Sequence, residues 1–313
     1  MAKITMNDLL EAGCHFGHQT RRWNPRMKKY VYGAKSGISI IDLGKTMHQL
    51  ADACNFLQNV VVKGGDILFV GTKRQAGDII RDLAERTGMY SVSERWLGGT
   101  LTNNVTIRKS IAKMQEIDEK INSDAAAGMK KKELSLLQRE SEKLHRNLDG
   151  IAAMKKLPAA LVIVDVCHEA NAVREANKLH IPIGALIDTD GDPTLIDYPV
   201  AANDDAVKSI QIITGLFGDA IMVAKEIYQK RVVEEKTAKG AAEKAAADAA
   251  EAAAAEAPAE DKPKRVRKPR APKAADAEAD AKAGEKPAEA APAAEDKPKR
   301  VRKPRAPKAD AAE

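Results

Sequence analysis

Asp66-Ile67-Leu68-Phe69-Val70-Gly71, set between the turn pair Gly64-Gly65 and the polar Thr72-Lys73, is where the fold of this chain becomes legible. A short, unbroken apolar run bounded by glycines reads as a strand buried on both faces. The residues after it, Gln75–Arg86, place Ile79, Ile80 and Leu83 at helical spacing, which completes one β-then-α step. The step recurs downstream. Ala160-Leu161-Val162-Ile163-Val164-Asp165 is a second such strand, a helix follows through Ala170–Leu179, and Ile183–Asp188 is a third strand. Strands apolar along their whole length belong in parallel sheets covered by helices on both sides. A last helix from Asp205 to about Gln229 closes an α/β fold of three layers, α/β/α.

Between these halves, Val105 to Leu148 changes period. Ile107, Ile111, Met114 and Ile121 form one apolar seam, and Leu134, Leu137, Leu144 and Leu148 a second. Both have heptad-compatible spacing, which predicts an inserted antiparallel coiled-coil hairpin over 104–150. The hairpin interrupts one discontinuous domain made of 1–103 and 151–230. Its outward faces carry Arg108, Lys109, Lys113 and Lys130-Lys131-Lys132, which read either as solvated surface or as RNA or protein docking. From 231 to 313 the chain is Ala, Lys, Glu, Asp and Pro with almost no large apolar side chains, so a disordered tail is expected, with transient helix in Gly240–Ala257. Within the tail, Glu-Asp-Lys-Pro-Lys-Arg-Val-Arg-Lys-Pro-Arg-Ala-Pro-Lys occurs at 260–273 and, unchanged, at 295–308. The basic residues of each copy (Lys264, Arg265, Arg267, Lys268 and Arg270; Lys299, Arg300, Arg302, Lys303 and Arg305) sit in a proline-broken, extended frame suited to weak phosphate contacts.

Charge bounds the function only loosely. The 313 residues hold 51 Lys+Arg and 45 Asp+Glu, a net +6 that permits a polyanionic partner without requiring one. Cys14, Cys54 and Cys167 lack zinc-ribbon spacing and are expected as small buried residues in a reducing cytoplasm. No uninterrupted apolar run approaches the roughly 20 residues of a membrane span, so membrane insertion is set aside.

Two stretches suit RNA. Arg21-Arg22-Trp23-Asn24-Pro25-Arg26-Met27-Lys28-Lys29-Tyr30-Val31-Tyr32 interleaves cations for phosphates with rings for stacking, although the aromatics serve equally well as core anchors. Arg95-Trp96-Leu97-Gly98-Gly99-Thr100-Leu101-Thr102-Asn103-Asn104 reads first as a structural turn with Arg95 exposed. His15 and His18, with Asp188-Thr189-Asp190-Gly191-Asp192 and Asn203-Asp204-Asp205, offer nitrogen and oxygen ligands, so His18, Asp188 and Asp205 are candidates for a structural divalent metal. A nucleotide-binding enzyme is the rival reading, because Thr72, Lys73, Asp165 and Asp188 end the strands where open α/β sheets bind ligands. Gly71-Thr72-Lys73 nevertheless lacks the earlier glycine and spacing of a phosphate loop, and no catalytic constellation can be traced. The reading is therefore of a non-enzyme with no small-molecule substrate.

Taken together, Gly13-x-His15-Phe16-Gly17-His18, Trp23-Asn24-Pro25-x-Met27, Ile41-Asp42-Leu43, Phe69-Val70-Gly71-Thr72-Lys73, Arg95-Trp96-Leu97-Gly98-Gly99-x-Leu101-Thr102-Asn103 and Asn203-Asp204-Asp205-Ala206 resemble the family of bacterial ribosomal protein S-two, in the family's order, from about Lys3 to Gln229. The resemblance implies a flavodoxin-like domain with a protruding coiled coil, bound architecturally to 16S rRNA on the small subunit and helping to dock ribosomal protein S-one. The RNA-facing candidates are Arg21, Arg22, Trp23, Asn24, Arg26, Lys28, Lys73, Arg95, Arg108 and Lys109; a free RNA-binding regulator is the other non-enzyme reading. Asp188-Thr189-Asp190-Gly191-Asp192-Pro193 and Ala201-Ala202 depart from the usual family pattern, and the duplicated tail exceeds its common core.

Overall fold

A computed structural model describes residues 4–123 and 129–255 of the chain. Met6–Glu11 (α1) opens it, capped by Thr5, whose hydroxyl accepts the Asp8 N–H while the Asp8 carboxylate accepts the Thr5 N–H. Phe16–Gln19 (β1), Val31–Lys35 (β2) and Ile38–Ile41 (β3) then form a small antiparallel sheet in the order β1-β3-β2. Here the structure departs from the expected β/α alternation. Lys35 pairs with Ile38, and both intervening residues, Ser36 and Gly37, have positive φ, the geometry that matches a tight hairpin to strand twist.

The main sheet starts after the long helix Leu43–Val62 (α2). Ile67–Val70 (β4) leads through Gly77–Thr87 (α3) to Tyr90–Val92 (β5). Asn104–Asn122 (α4) and Lys131–Ala152 (α5) intervene before Ala160–Val164 (β6), Ala170–Lys178 (α6), Ile183–Ile187 (β7), Tyr198–Ala201 (β8) and Val207–Ala255 (α7). All neighbours pair parallel in the order β5-β4-β6-β7-β8, the arrangement of a flavodoxin-like sheet. Every residue of β4, β6 and β7 is buried, as their unbroken apolar sequence requires.

Alternate strand residues feed two cores. Ile67, Phe69, Val162 and Val164 face α2, α3 and α7, whereas Leu68, Val70, Leu161 and Ile163 face α4, α5 and α6. The edge strand β8 is blunted by Pro199, which has no N–H to offer, and by α2: Gln49 Oε1 accepts the Ala201 N–H at 3.1 Å, and the Thr46 hydroxyl donates to the Ala201 carbonyl at 2.6 Å.

α4 and α5 pack on each other: Ile117 is buried together with Ile107, Ile111 and Met114 while Ile121 is only half-buried, and of the second seam Leu148 is buried while Leu134, Leu137 and Leu144 are half-buried. Across the pair, Asp118 accepts from Ser141 at 2.7 Å and from His145 at 2.7 Å. Two further expectations change. The stretch Val207–Glu234 is by length and composition apolar enough to span a membrane, but Ile210, Ile213, Phe217, Ala220, Ile221 and Ala224 spend their apolar surface in the core beneath the sheet. The same helix, expected to stop near Gln229 with disorder from Arg231, continues to Ala255, as an alanine-rich sequence of high helix propensity allows. The tail's candidate residues Lys264, Arg265, Arg267, Lys268, Arg270, Lys299, Arg300, Arg302, Lys303 and Arg305 lie outside the described residues.

Candidate nucleic-acid interface and acidic crevice

The connection from β4 leaves toward one face of the sheet and that from β6 toward the other, so the ends of these strands part and leave a crevice. Lys73 enters it from the end of β4. Its ammonium lies 3.2 Å from Asp165, 2.9 Å from Asp204 and 2.6 Å from Asp205. Asp165 holds a left-handed conformation (φ 67°), which its carboxylate supports by accepting the His168 N–H at 2.9 Å. Lys73, expected to face RNA, thus has three carboxylates around its ammonium.

His18 lies beside this group. Its Nδ1 is 2.6 Å from Asp188, and its Nε2 is 3.5 Å from Asp205 and 3.9 Å from Asp190. β1 comes this close to the segment that follows β7 because Gly17 has no side chain: a Cβ there would lie 2.6 Å from the Thr189 methyl. The His18 N–H then donates to the Thr189 hydroxyl at 3.0 Å. The hydrogen bond to Asp188 outweighs burial and pushes the His18 pKa up to about 9. Burial, reinforced by the charges of Asp165 and Asp188, pushes Asp204 up to about 7 despite Lys73.

His18, Asp188 and Asp205 thus come together as the sequence suggested, but the tightest set of donor atoms is His18, Asp188 and the buried Asp204, within 4.8 Å of one another. Asp204 was one of three adjacent polar residues in the sequence, and only the fold distinguishes it by burial. The donors suit a divalent cation with nitrogen and oxygen preference. A proton on His18 and the ammonium of Lys73 are the competing cations.

Both titrations have the same sign. His18, with its folded pKa above the ordinary 6.5, contributes stability in full below that value and loses it as pH rises toward 9. Asp204, held neutral above its ordinary range, likewise loses its contribution between its ordinary carboxylate value and about 7. Chelator-treated protein is therefore expected to lose about 2 kcal/mol of stability across the His18 window, and His18→Gln to flatten that loss. Urea denaturation at a series of pH values measures it; a wild-type profile level across the window contradicts the assignment.

Along 21–32 the structure sorts cations from rings. Arg21, Arg22 and Lys28 are exposed. Arg26 is also exposed but pairs with Asp192 and donates to Thr194 at 3.1 Å. Met27 is fully buried, and Trp23 and Tyr30 pack against the same core as α4–α6, so these two rings are anchors, whereas Tyr32 stands 81% exposed. Asn24 is structural too: its side chain caps the Pro25–Lys29 turn by accepting the Arg26 N–H at 3.0 Å, and its own N–H donates to the Thr189 carbonyl at 2.9 Å. Arg95 is exposed at the head of the second loop, and Arg108 and Lys109 on the outer face of α4. Of the cysteines, Cys14 and Cys54 are buried as expected. Cys167 is exposed, because it lies in the loop that Asp165 turns out of the sheet, and burial of the sulfur with the surrounding carboxylates pushes its thiol up to about 11.

The comparisons with known proteins agree with this architecture. Residues 9–224 match the family described as Ribosomal protein S2. The chain is also 50% identical over 222 residues to the small ribosomal subunit protein uS2 of Acidobacterium capsulatum, a match covering 71% of this chain and 74% of that relative. With the parallel sheet and the family match extending together through β8 and into α7, the chain belongs to the ribosomal protein S2 family.

Proposed function

We propose that this protein is a structural component of the bacterial small ribosomal subunit that binds 16S rRNA through exposed cations anchored on a rigid α/β/α body. The observation carrying the reading is the sorting along 21–32: Met27 is sealed in the core and Trp23 and Tyr30 pack against it, while Arg21, Arg22 and Lys28 stand in solvent, a rigid presentation of charge. Arg95, Arg108 and Lys109 extend the surface. Through the family, a role in docking ribosomal protein S-one belongs to the same proposal, as do a coiled-coil form of the α4–α5 pair, the ribosome in the cytoplasm as its setting, and an auxiliary phosphate-contacting role for the duplicated tail.

The nucleotide-enzyme alternative draws no support from the crevice. There Lys73 and His18 are already engaged by Asp165, Asp188, Asp190, Asp204 and Asp205, an acidic surrounding that repels phosphate.

Arg21→Gln, Arg22→Gln and Lys28→Gln together are expected to leave folding intact and to lower the salt concentration at which the protein leaves small subunits. Each phosphate contact removed takes about one unit from the slope of log affinity against log salt. Arg26 is best changed separately, because it also holds Asp192. Release of the triple variant at the wild-type salt concentration would refute the contact. A divalent ion held by His18, Asp188 and Asp204 is a further part of the proposal. Elemental analysis of dialysed small subunits should find less metal with Asp204→Asn than with wild type, and equal content rules the ion out.

A further inference from the structure

Glu175 projects from α6 into the loop that joins β5 to α4, and one loop supplies all of its hydrogen bonds. Its Oε1 accepts from the Trp96 indole N–H at 3.0 Å and from the Gly99 N–H at 2.7 Å. Its Oε2 accepts from the N–H groups of Leu101 and Thr102 and from the Thr102 hydroxyl, each at 3.1 Å. Among the described residues Glu175 forms no ion pair, so the carboxylate is held by this ring of donors alone. Burial acts to raise its pKa, but the bonds from Gly99, Trp96, Thr102 and Leu101 prevail and keep it below the usual carboxylate range.

The loop wrapped around this carboxylate has two sides. Trp96, Thr100 and Leu101 are buried, whereas Arg95, Gly98, Thr102 and Asn103 face solvent. Gly98 has open space where a side chain would stand. We infer that Glu175 is a positioning residue, which by gathering the backbone N–H groups of Gly99, Leu101 and Thr102 shapes the Arg95–Asn103 loop into a preformed surface for RNA backbone. The inference rests on the proposed RNA-facing role of this loop. Unlike those of Thr100 and Asn103, the three amides meet no carbonyl of the loop, and a carboxylate with two acceptor oxygens turns them inward. That inward turn sets the spacing between Arg95 and Asn103. Without it the loop would have to be ordered at the moment of binding, and affinity would fall.

The test uses the full chain. Glu175→Gln keeps size but sets an NH2 group against N–H donors, so the Gly99, Leu101 and Thr102 amides should exchange with solvent roughly tenfold faster or more, with β4 and β6 unchanged. In wild type the same three amides should lose protection on acidification as the carboxylate takes up its proton, a pH dependence absent from Glu175→Gln that a simple packing role would not produce. This acid titration stands even if the variant fails to fold. Both Glu175→Gln and Arg95→Gln should lower the salt concentration at which the protein leaves small subunits. Full protection of the three amides in Glu175→Gln, or no acid response in wild type, overturns the positioning role. Opened amides with wild-type retention, while Arg95→Gln is weakened, overturn the link from Glu175 to docking; if both variants are retained as wild type, the RNA reading of the loop fails instead.

Discussion

Lys73→Met is expected to destabilise the isolated, chelator-treated protein by about 3 kcal/mol near neutral pH, the scale on which one partner of a buried charge pair is lost. The ammonium is the countercharge shared by Asp165, Asp204 and Asp205, and Asp204 is almost wholly inaccessible to water. Methionine fills similar volume but leaves those carboxylates facing one another. The remedy open to the variant is protonation, and Asp204, already raised to about 7, takes up the proton first. The loss should therefore shrink on acidification toward about pH 5, and Asp204→Asn in the Lys73→Met background should recover part of it near neutrality. Urea denaturation at the two pH values measures both effects. A loss below about 1 kcal/mol, or one independent of pH, would show that Lys73 is not the countercharge of the crevice.

Gly150→Ala should also be strongly destabilising, although it exchanges glycine for the best helix former inside a helix. Propensity alone favours alanine by about 1 kcal/mol. At Gly150, however, a Cβ would overlap the backbone carbonyl of Ser91 and lie 2.6 Å from its hydroxyl oxygen, because α5 crosses the edge strand β5 at direct backbone contact. A backbone carbonyl cannot rotate aside as a side chain does. The helix must lift, and Leu148 and Ile151, both buried on the same helix, lift with it. Overpacking of this kind costs typically 1–3 kcal/mol, so a net loss of about 2 kcal/mol is expected, with a larger one for Gly150→Val. Equilibrium denaturation decides the sign: a Gly150→Ala protein as stable as wild type would mean that α5 does not seat on β5 as described.

These two residues show why parts of the structure were legible in sequence and others were not. β4, β6 and β7 are covered on both faces, so every position is apolar and a run such as Ile67-Leu68-Phe69-Val70 announces itself. The edge strands β5 and β8 are short and only partly apolar, and the antiparallel sheet of residues 16–41 is marked chiefly by Ser36-Gly37, so none of these stands out in the sequence. The basic character of 21–32 was plain, but whether Trp23 stacks on a base or anchors a loop depends on what packs behind it. Lys73 reads in the sequence as a cation at a strand end, and only its distances to Asp165, Asp204 and Asp205 show what surrounds it.

The sequence by itself determined the order and type of the main elements, because hydrophobic periodicity and glycine punctuation act over a few neighbouring residues and are written in consecutive positions. It also carried the family, through motifs spread from Gly13 to Ala206. Only the tertiary structure decided which charges are spent within the protein and which stay exposed. Glu175 meets a loop some 75 positions earlier in the chain, and His18 meets Asp188 across 170. Such pairings follow from the order in which the strands assemble into a sheet, and the free energy of a carboxylate or an ammonium depends on the neighbours and the burial that this assembly gives it.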